Sequence, residues 1–366
     1  MRVLFIFGTR PEAIKLAAPI RYLKQFPERY FVQTCVTAQH RRMLDQVLQA
    51  FEIAPDYDLN LMTPGQTLFE STSRIIAGLE QVFRDSKPDI AIVQGDTTTT
   101  LCGALAAFYA RVPVAHIEAG LRTGDLEQPF PEELNRVLTS RIAKLHFAPT
   151  QGSAENLRRE GISSGIWVTG NTGIDAVLDV RNRIERGDLK PGPGPVSDRK
   201  LILVTAHRRE SFGGGFERIC QALSKLAGRS DVEIVYPVHP NPNVLSGVNR
   251  HLALHSNITL IEPLDYVPFI DLMRRACLIL TDSGGIQEEG PSLGKPILVL
   301  REKTERPDAV AAGTVKLVGT DVGKIVAEAN RLLDDPAEYE RMSHIHNPYG
   351  DGHASERIEA VLRGIQ

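Results

Sequence analysis

The run LTDSGGIQEE at residues 280–289 has the residue types of a phosphate-binding turn. An apolar, strand-like stretch ends at Ser283, and Gly284 and Gly285 open a predicted helix that carries Glu289. Glycines let the backbone turn sharply and let an anion approach the N–H groups at the positive end of a helix. Glu289 follows about one helical turn later, where a carboxylate could accept hydrogen bonds from a ribose diol. A plain strand-to-helix connection would also explain the glycines, so this turn alone does not decide the function.

Carboxylates in the first half follow predicted strands or open a helix. Asp96 lies in QGDTTTT, Glu118 in HIEAGLR, and Glu132 and Glu133 open a helix in PFPEELNR. Asp96 could be a helix N-cap, and the helix dipole explains one of the two adjacent glutamates. A glutamate in a largely apolar setting, such as Glu118, needs a partner or a task. Such carboxylates can transfer protons and stabilise an oxocarbenium-like carbon.

Cationic side chains follow other predicted strands. In GTRPEAIK, a capping box explains Thr9 and Glu12 but not Arg10, which lies where an anion would bind. His207 in TAHRRE and His239 in VHPNP follow two strands of the second half, although a lone histidine such as His239 is more often structural. A histidine and cations can stabilise or protonate a departing diphosphate.

Composition argues against several classes of protein. The chain has 366 residues and a formal net charge of -3, which disfavours nucleic-acid binding through phosphate neutralisation. No apolar run approaches the ~18 residues of a membrane span, and the short apolar start of the chain does not match a signal peptide. The cysteines lie far apart without a CxxC pair, which predicts buried reduced thiols in a cytoplasmic enzyme; they are Cys35, Cys102, Cys220 and Cys277.

Motifs for metal and nicotinamide chemistry are missing from the sequence. It contains no H-E-x-x-H, no zinc-type cysteine spacing and no Walker A motif, and neither candidate turn has G-x-G-x-x-G spacing. A G-x-S-x-G nucleophile elbow is also missing. We therefore expect neither a metal nor a dissociable cofactor.

Short β-branched runs alternate with helical patterns, as is typical of βαβ units in a parallel sheet. In the first half, strands are predicted at residues 3–7, 31–37, 90–94, 114–117, 145–148 and 166–169. Helices are predicted there at 13–25, 41–51, 68–84, 99–111 and 132–143. After a Gly/Pro-rich linker or loop at 187–200, strands are predicted at 201–205, 234–237, 259–261, 277–280 and 296–300.

This order predicts an α/β protein of two doubly wound, Rossmann-like domains, in which ligands bind outside the carboxyl ends of the strands. The first half offers the candidate carboxylates, whereas the second offers the phosphate turn (residues 283–285), a histidine and arginines. That division suits a nucleotide sugar lying in a cleft between two domains.

The same motifs resemble those of the bacterial non-hydrolysing UDP-N-acetylglucosamine 2-epimerases. The matching runs cover nearly the whole chain in order; they are GTRPEA, GDTTT, HIEAGLRT, PEE with NR, HRRESF, TDSGGIQEE, TERP and NPYGDG. The resemblance implies the two-domain GT-B architecture of glycosyltransferases and glycogen phosphorylase. We place the domains at residues 1–172 and 173–352, with a last helix at about 353–366 packing back on the first domain.

The resemblance also assigns individual side chains. It implies acid–base catalysis by Asp96, Glu118 and Glu132, with His207 near the diphosphate. The substrate-binding positions that it implies are Arg10, Lys15, Phe269, Ser283, Gly284, Gly285, Glu289 and Arg306. Many bacterial members bind a second UDP-sugar as an activator, for which Gln39, Arg209 and His239 are the candidate contacts. Gly65 stands where members with this regulation are expected to carry a cation.

The implied reaction is reversible C2 epimerisation of UDP-N-acetylglucosamine to UDP-N-acetylmannosamine, which supplies cell-surface polysaccharide synthesis. We expect elimination of UDP to a 2-acetamidoglucal, followed by re-addition, in a homodimer. Alternatives are a hydrolysing 2-epimerase, a 2-epimerase of a related UDP-acetamido sugar, a GT-B glycosyltransferase and a non-catalytic nucleotide-sugar sensor. The several carboxylates favour proton chemistry at carbon over transfer to an acceptor.

Overall fold

The computed structural model describes residues 1–38, 41–63, 65–194, 198–208, 213–239 and 241–365. The chain divides into two compact units. The first unit is Met1–Ala176 together with Gly350–Gln366, and the second unit is Val177–Tyr349. None of the helices in the described ranges combines the length and hydrophobicity needed to cross a bilayer.

The first unit is built on a seven-stranded parallel sheet with the order β3-β2-β1-β4-β5-β6-β7. Its strands are β1 (Arg2–Phe7), β2 (Phe31–Val36), β3 (Tyr57–Asp58), β4 (Ile90–Gln94), β5 (Val114–Ile117), β6 (Leu145–Ala148) and β7 (Ile166–Val168). The helices between and after them are α1 (Arg10–Leu23), α2 (Arg41–Ala50), α3 (Leu68–Ser86), α4 (Thr98–Tyr109), α5 (Glu132–Ile142) and α6 (Gln151–Arg159). The next helix, α7 (Thr172–Glu185), begins in the first unit and ends in the second.

The second unit repeats the plan with a six-stranded parallel sheet of order β10-β9-β8-β11-β12-β13. Its strands are β8 (Lys200–Thr205), β9 (Val232–Pro237), β10 (Ile258–Ile261), β11 (Leu278–Thr281), β12 (Ile297–Val299) and β13 (Val315–Leu317). Its helices are α8 (Gly214–Leu226), α9 (Pro242–His251), α10 (Tyr266–Arg275), α11 (Gly284–Glu289), α12 (Pro307–Ala312), α13 (Val322–Asp334) and α14 (Pro336–Ser343).

The central strands are apolar on both faces because helices cover both sides of each sheet. Every residue of β4 and β5 is buried, as is all of β1 after its first residue. These uninterrupted runs are why the sequence predicts the central strands within one or two residues. The predicted α/β fold with two doubly wound sheets is confirmed.

Each strand order reverses direction once. In the first unit the chain moves from β1 outward to β2 and β3, and then returns to β4 on the other side of β1. In the second unit the same reversal lies between β8 and β11. Doubly wound sheets bind ligands at such switch points, outside the carboxyl ends of the strands, so a ligand site is expected at the loops after these strands.

The last helix, α15 (Ala354–Gly364), belongs to the first unit and packs on α1. The buried Asp175 carboxylate accepts hydrogen bonds from the first backbone N–H groups of this helix, with Ser355 N at 2.7 Å and Ala354 N at 3.2 Å. Farther along, Glu359 accepts a 3.0 Å hydrogen bond from the Tyr30 hydroxyl. These bonds and the buried face of α15 complete the first unit's core.

Candidate active site

Glu118 lies directly after β5 in a strained backbone conformation. Its φ is 64°, a left-handed value that is uncommon for a residue other than glycine. The Lys15 ammonium donates hydrogen bonds of 2.6 and 2.7 Å to the two carboxylate oxygens, and the Gln94 amide donates to one of them. The Glu118 side chain is only 11% exposed, so its charge is balanced mainly by the Lys15 ammonium and not by solvent.

Asp96 follows β4 and is held by two residues of α5. The buried Arg136 guanidinium forms a salt bridge with the Asp96 carboxylate, and Asn135 Nδ2 donates a 2.9 Å hydrogen bond to the Asp96 carbonyl. The N-cap of α4 is Thr97, whose hydroxyl accepts a hydrogen bond from Thr100 N at 3.1 Å. The N-cap interpretation of Asp96 is therefore wrong, because the neighbouring threonine satisfies the helix end.

Two consecutive glutamates open α5, and their surroundings differ. Glu133 is buried, accepts the backbone N–H groups of Thr123 and Gly124, and forms a 3.1 Å salt bridge with Arg136. Glu132 is half-buried, and within the described ranges its carboxylate has no hydrogen-bond or ion-pair partner. Glu132 lies one helical turn before Arg136, so the bond between Arg136 and Asp96 keeps this turn near the end of β4.

The start of α1 presents Arg10 beside a buried capping box. Thr9 is the N-cap, and the Glu12 carboxylate accepts the backbone N–H groups of Thr9 and Gly8 at 2.8 and 3.1 Å. Burial raises the pKa of Glu12, and the hydrogen bond from Thr97 is the largest effect that opposes it. Arg10 is half-buried at the first helical position and has no ionic or hydrogen-bond partner within the described ranges. A cation at this helix end is unfavourable without an anion.

His116 and His146 lie opposite each other on β5 and β6, beneath the site. His116 Nε2 donates a 2.7 Å hydrogen bond to the carbonyl of Gly95, the residue before Asp96. Burial lowers the pKa of His116 to about 3 and that of His146 to about 4. Both rings are therefore neutral near pH 7, and His116 supports the turn that carries Asp96.

In the second unit the phosphate turn has the form predicted for it. Ser283 is the N-cap of α11, and its side chain makes no capping hydrogen bond with that helix. A Cβ placed on Gly284 would lie 3.6 Å from the Arg306 guanidinium and 3.9 Å from Arg208 Nη2. Two cations therefore flank the turn on which an anion would rest.

Acidic residues orient these two arginines. The buried Glu288 carboxylate accepts a hydrogen bond from Arg306 Nε, and Glu305 interacts with Arg208 Nη1 at 3.4 Å. Glu305 also accepts hydrogen bonds from Arg301 at 2.7 and 3.0 Å, which lower the pKa of Glu305 to about 2. Glu288 is thus bonded to Arg306, and Glu289 is the last residue of α11.

His207 follows β8 and stands next to the phosphate turn. Its ring stacks on that of His239, with centroids 5.3 Å apart and an interplanar angle of 13°. Burial lowers the pKa of His239, the adjacent His207 lowers it further, and the Asp282 carboxylate opposes both. His239 is thus part of the His207 surroundings rather than an isolated structural histidine.

Glu289 is near the start of α10. Burial raises the pKa of Tyr266 well above its usual range, and the Glu289 carboxylate raises it further. Phe269 lies three residues after Tyr266, on the same face of α10, and is half-buried. Glu289 and Phe269, which the resemblance assigns to substrate binding, therefore come from neighbouring elements.

The structure thus groups Lys15, Asp96 and Glu118 in the first unit, and His207, Gly284 and Arg306 in the second. Gln39 and Arg209, two of the three predicted activator contacts, lie outside the described residues. Asp282 and Arg136 were not predicted as site residues; the available signal for Asp282 was a carboxylate placed directly after a mostly apolar strand, β11. In the described part of the chain, no group of three or more His, Cys, Asp or Glu side chains could hold a metal ion.

A family model, a relative and a solved structure that this chain resembles share one description. Residues 24–363 match the family model described as UDP-N-acetylglucosamine 2-epimerase. The UDP-N-acetylglucosamine 2-epimerase of Salmonella typhimurium is 58% identical, over 100% of this chain and 99% of that protein. The crystal structure of the Neisseria meningitidis UDP-GlcNAc 2-epimerase bound to UDP-GlcNAc is 50% identical, covers 100% of both chains and superposes with a TM-score of 0.88. A glycotransferase of kitacinnamycin, at 13% identity, shares the fold over 98% of both chains with a TM-score of 0.66.

Proposed function

Since this chain belongs to the UDP-N-acetylglucosamine 2-epimerase family, we propose that it interconverts UDP-N-acetylglucosamine and UDP-N-acetylmannosamine. The observation that carries this proposal is the carboxylate arrangement at the carboxyl ends of β4 and β5. Asp96 and Glu118 are held there by Arg136 and Lys15, while Glu132 is left without a partner in the described ranges. Inverting a carbon centre requires a proton to leave one face and another to arrive on the opposite face, which more than one acid–base group can provide.

The chemistry proceeds by elimination and re-addition. The bond between C1 and the UDP oxygen breaks with its electron pair leaving on UDP, a carboxylate takes the C2 proton, and a C1–C2 double bond forms. In the second half a proton is delivered to the other face of C2, and the UDP oxygen attacks C1. Oxidation level does not change overall, so the reaction needs no hydride acceptor.

Groups of the second unit support the departure of UDP. Ser283, Gly284 and Gly285 offer backbone donors to phosphate, and the Arg306 and Arg208 guanidiniums flank Gly284. His207 can donate to the oxygen that gains charge as the anomeric bond breaks. We assign the ribose diol to Glu289 and the uracil to the neighbourhood of Phe269. In the first unit, we assign Arg10 and Lys15 to the anionic and reacting parts of the substrate.

We also propose that the enzyme is a cytoplasmic homodimer. Cys35, Cys102 and Cys220 are buried, all four thiols including Cys277 are free, and burial raises the pKa of each, which suits a reducing compartment. At the end of α4, Phe108 is 63% exposed and Tyr109 67% exposed, a pair of aromatic side chains that a second copy could cover. We further propose that a second UDP-sugar binds as an activator and that His239 contacts it.

The reaction is tested by incubating the enzyme with UDP-N-acetylglucosamine in D2O and following the sugars by proton NMR. We expect UDP-N-acetylmannosamine with deuterium at C2, followed by deuterium at C2 of the substrate pool because the reaction is reversible. The Glu132→Gln variant is the matched control, since it should exchange C2 protons far more slowly.

Other outcomes identify the alternatives. Accumulation of free N-acetylmannosamine and UDP would indicate a hydrolysing enzyme, and no change until a sugar acceptor is added would indicate a glycosyltransferase. Epimerisation with full retention of protium at C2 would contradict the elimination route.

A further inference from the structure

Asp282 is a fully buried carboxylate directly after β11, and the reaction proposed above gives it no role. Its side chain is 0% exposed. Its Oδ2 accepts hydrogen bonds from the backbone N–H groups of His207 at 2.6 Å and Arg208 at 2.7 Å. Because β8 and β11 are paired neighbours, these bonds tie the loop that starts at His207 to the strand that ends at the phosphate turn.

The second oxygen of this carboxylate points to a further role. Asp282 Oδ1 is buried, and within the described ranges no hydrogen-bond donor satisfies it. It lies 3.6 Å from Nδ1 of the His207 ring. A buried carboxylate oxygen without a donor is costly, and Nδ1 is the nearby group that could supply the hydrogen. Such a separation is longer than a hydrogen bond, but catalytic hydrogen bonds are often long without substrate and tighten in the complex.

The His207 ring is constrained on two sides. Its face stacks on His239, and the edge carrying Nδ1 is turned toward Asp282. The side chain as a whole is 43% exposed, so Nε2, the ring nitrogen remote from the buried carboxylate, is the one available to a ligand. Among the described residues, the titratable side chains recorded against the ring are Asp282 at its Nδ1 edge and His239 on its face.

We propose that Asp282 is a positioning residue that orients the His207 ring in the UDP complex, so that Nε2–H donates to the departing diphosphate. The Nδ1 hydrogen is held by Asp282 Oδ1, and the Nε2 proton faces the oxygen on which charge develops. This inference rests on the proposed function, in which UDP leaves and returns during each turnover.

The Asp282→Asn variant separates this role from loop support. The amide oxygen can still accept the backbone N–H groups of His207 and Arg208, so the loop keeps its anchor. The amide nitrogen that replaces Oδ1 cannot accept the Nδ1 hydrogen and does not stabilise a charged ring. We expect kcat to fall by about 10²-fold, within the range for a positioned proton donor, with KM and the melting temperature little changed.

A double-mutant cycle with His207→Gln shows whether the loss of kcat in Asp282→Asn depends on His207. If Asp282 acts through His207, then adding Asp282→Asn to the His207→Gln variant leaves kcat unchanged. If Asp282 only supports the loop, the second substitution lowers kcat by the same factor in both backgrounds, and the inference is overturned. Asp271→Asn is the matched control, because Asp271 is another fully buried carboxylate of the second unit, bound to Gly192 N and Arg274; it should lower stability and leave kcat unchanged.

Nitrogen NMR of the His207 ring with UDP bound at pH 7 gives a readout that does not depend on turnover. We expect both ring nitrogens protonated in the wild type and only one in Asp282→Asn. A ring with the same protonation in both proteins would overturn the inference even if epimerisation is observed. If the wild type does not epimerise the substrate, the proposed function fails, whereas this measurement still decides whether Asp282 controls the ring.

Discussion

The two consecutive glutamates at the start of α5 allow a side-by-side test of catalytic and structural roles. Glu133 is buried and bonded to Arg136 and to two backbone N–H groups, whereas Glu132 is half-buried without a partner in the described ranges. The substitution to glutamine has the same chemistry at both positions. Any difference in outcome must therefore come from the surroundings of each carboxylate.

We predict that Glu132→Gln lowers kcat by about 10²-fold or more without changing the unfolding free energy, because this carboxylate makes no hydrogen bond or ion pair with the described residues. Glu133→Gln should lower the unfolding free energy by about 2 kcal/mol, since it weakens charge-assisted hydrogen bonds. Turnover by NMR and urea unfolding measure the two effects. Near wild-type turnover in Glu132→Gln, or an equal loss of stability in both variants, would contradict the assignment.

Side-chain partners were the part of the site that sequence could not predict. Glu118 and Lys15 were both assigned through the family resemblance, but their mutual salt bridge joins residues far apart in the chain and follows only from the folded sheet. The same holds for Arg136 beside Asp96. The residue types of the site and their positions at strand ends can be recognised in short stretches of sequence. The salt bridges that hold each charged side chain depend on the tertiary structure.

At the scale of elements, the turn after β1 depends on a close backbone approach. A Cβ on Gly8 would lie 2.1 Å from Thr37 Oγ1 and 2.6 Å from Thr99 Oγ1, two hydroxyls that are hydrogen-bonded to each other at 2.9 Å. The three residues come from the ends of β1 and β2 and from α4. Gly8 is therefore required by packing between elements.

We predict that Gly8→Ala lowers the unfolding free energy by roughly 1–3 kcal/mol, the usual effect of inserting a methyl group into a filled space. Gly364→Ala is the matched control, because nothing lies within 4 Å of a Cβ at this helical position, and alanine there should be neutral or stabilising. Thermal and urea unfolding of the two variants provide the measurement. Equal stability of both variants would show that the turn adjusts to a side chain.

The sequence predicted the central strands and one edge strand of each sheet, β7 and β10, but missed the other edge strand of each. The short edge strands β3 and β13 were not predicted. Each has only two or three residues, too few for a hydrophobic pattern to be distinguished from a loop. The central strands were predicted because burial on both faces demands continuous apolar runs.

At the scale of the whole molecule, the buried histidines set how stability depends on pH. The pKa of His116 is lowered to about 3 and that of His146 to about 4, in both cases mainly by burial. In the unfolded chain a histidine takes up a proton near pH 6.5. Between these values the unfolded state binds more protons, so the stability present above pH 6.5 is lost as pH falls.

We predict that the unfolding free energy decreases between pH 6.5 and 5, by up to about 1.4 kcal/mol per pH unit for each buried histidine. Acids with a lowered pKa, such as Glu338 with a pKa of about 2, also stabilise the folded state, but this stabilisation is lost only at a pH below that range. Burial raises the pKa values of Glu12 and Asp175, so these two acids add to the unfolding free energy as the pH falls. A comparison of histidine variants is therefore needed to isolate the effect of the histidines.

His146→Gln should have a shallower pH dependence of unfolding than the wild type, because it removes one of the buried rings. His344→Gln, at an exposed histidine of α14's end, should leave the dependence unchanged. Urea unfolding at several pH values between 5 and 7 measures all three proteins. Parallel curves for wild type and His146→Gln would contradict the prediction.

The return of α15 to the first unit has a consequence for the order in which the protein can fold during synthesis. The second unit is one continuous stretch, Val177–Tyr349, so its core can close as soon as that stretch has left the ribosome. The first unit needs Gly350–Gln366 as well, and until then the surface that receives α15 is uncovered. The half of the protein made first is thus the half completed last, and the nascent chain must carry an unfinished core while the second unit is being translated.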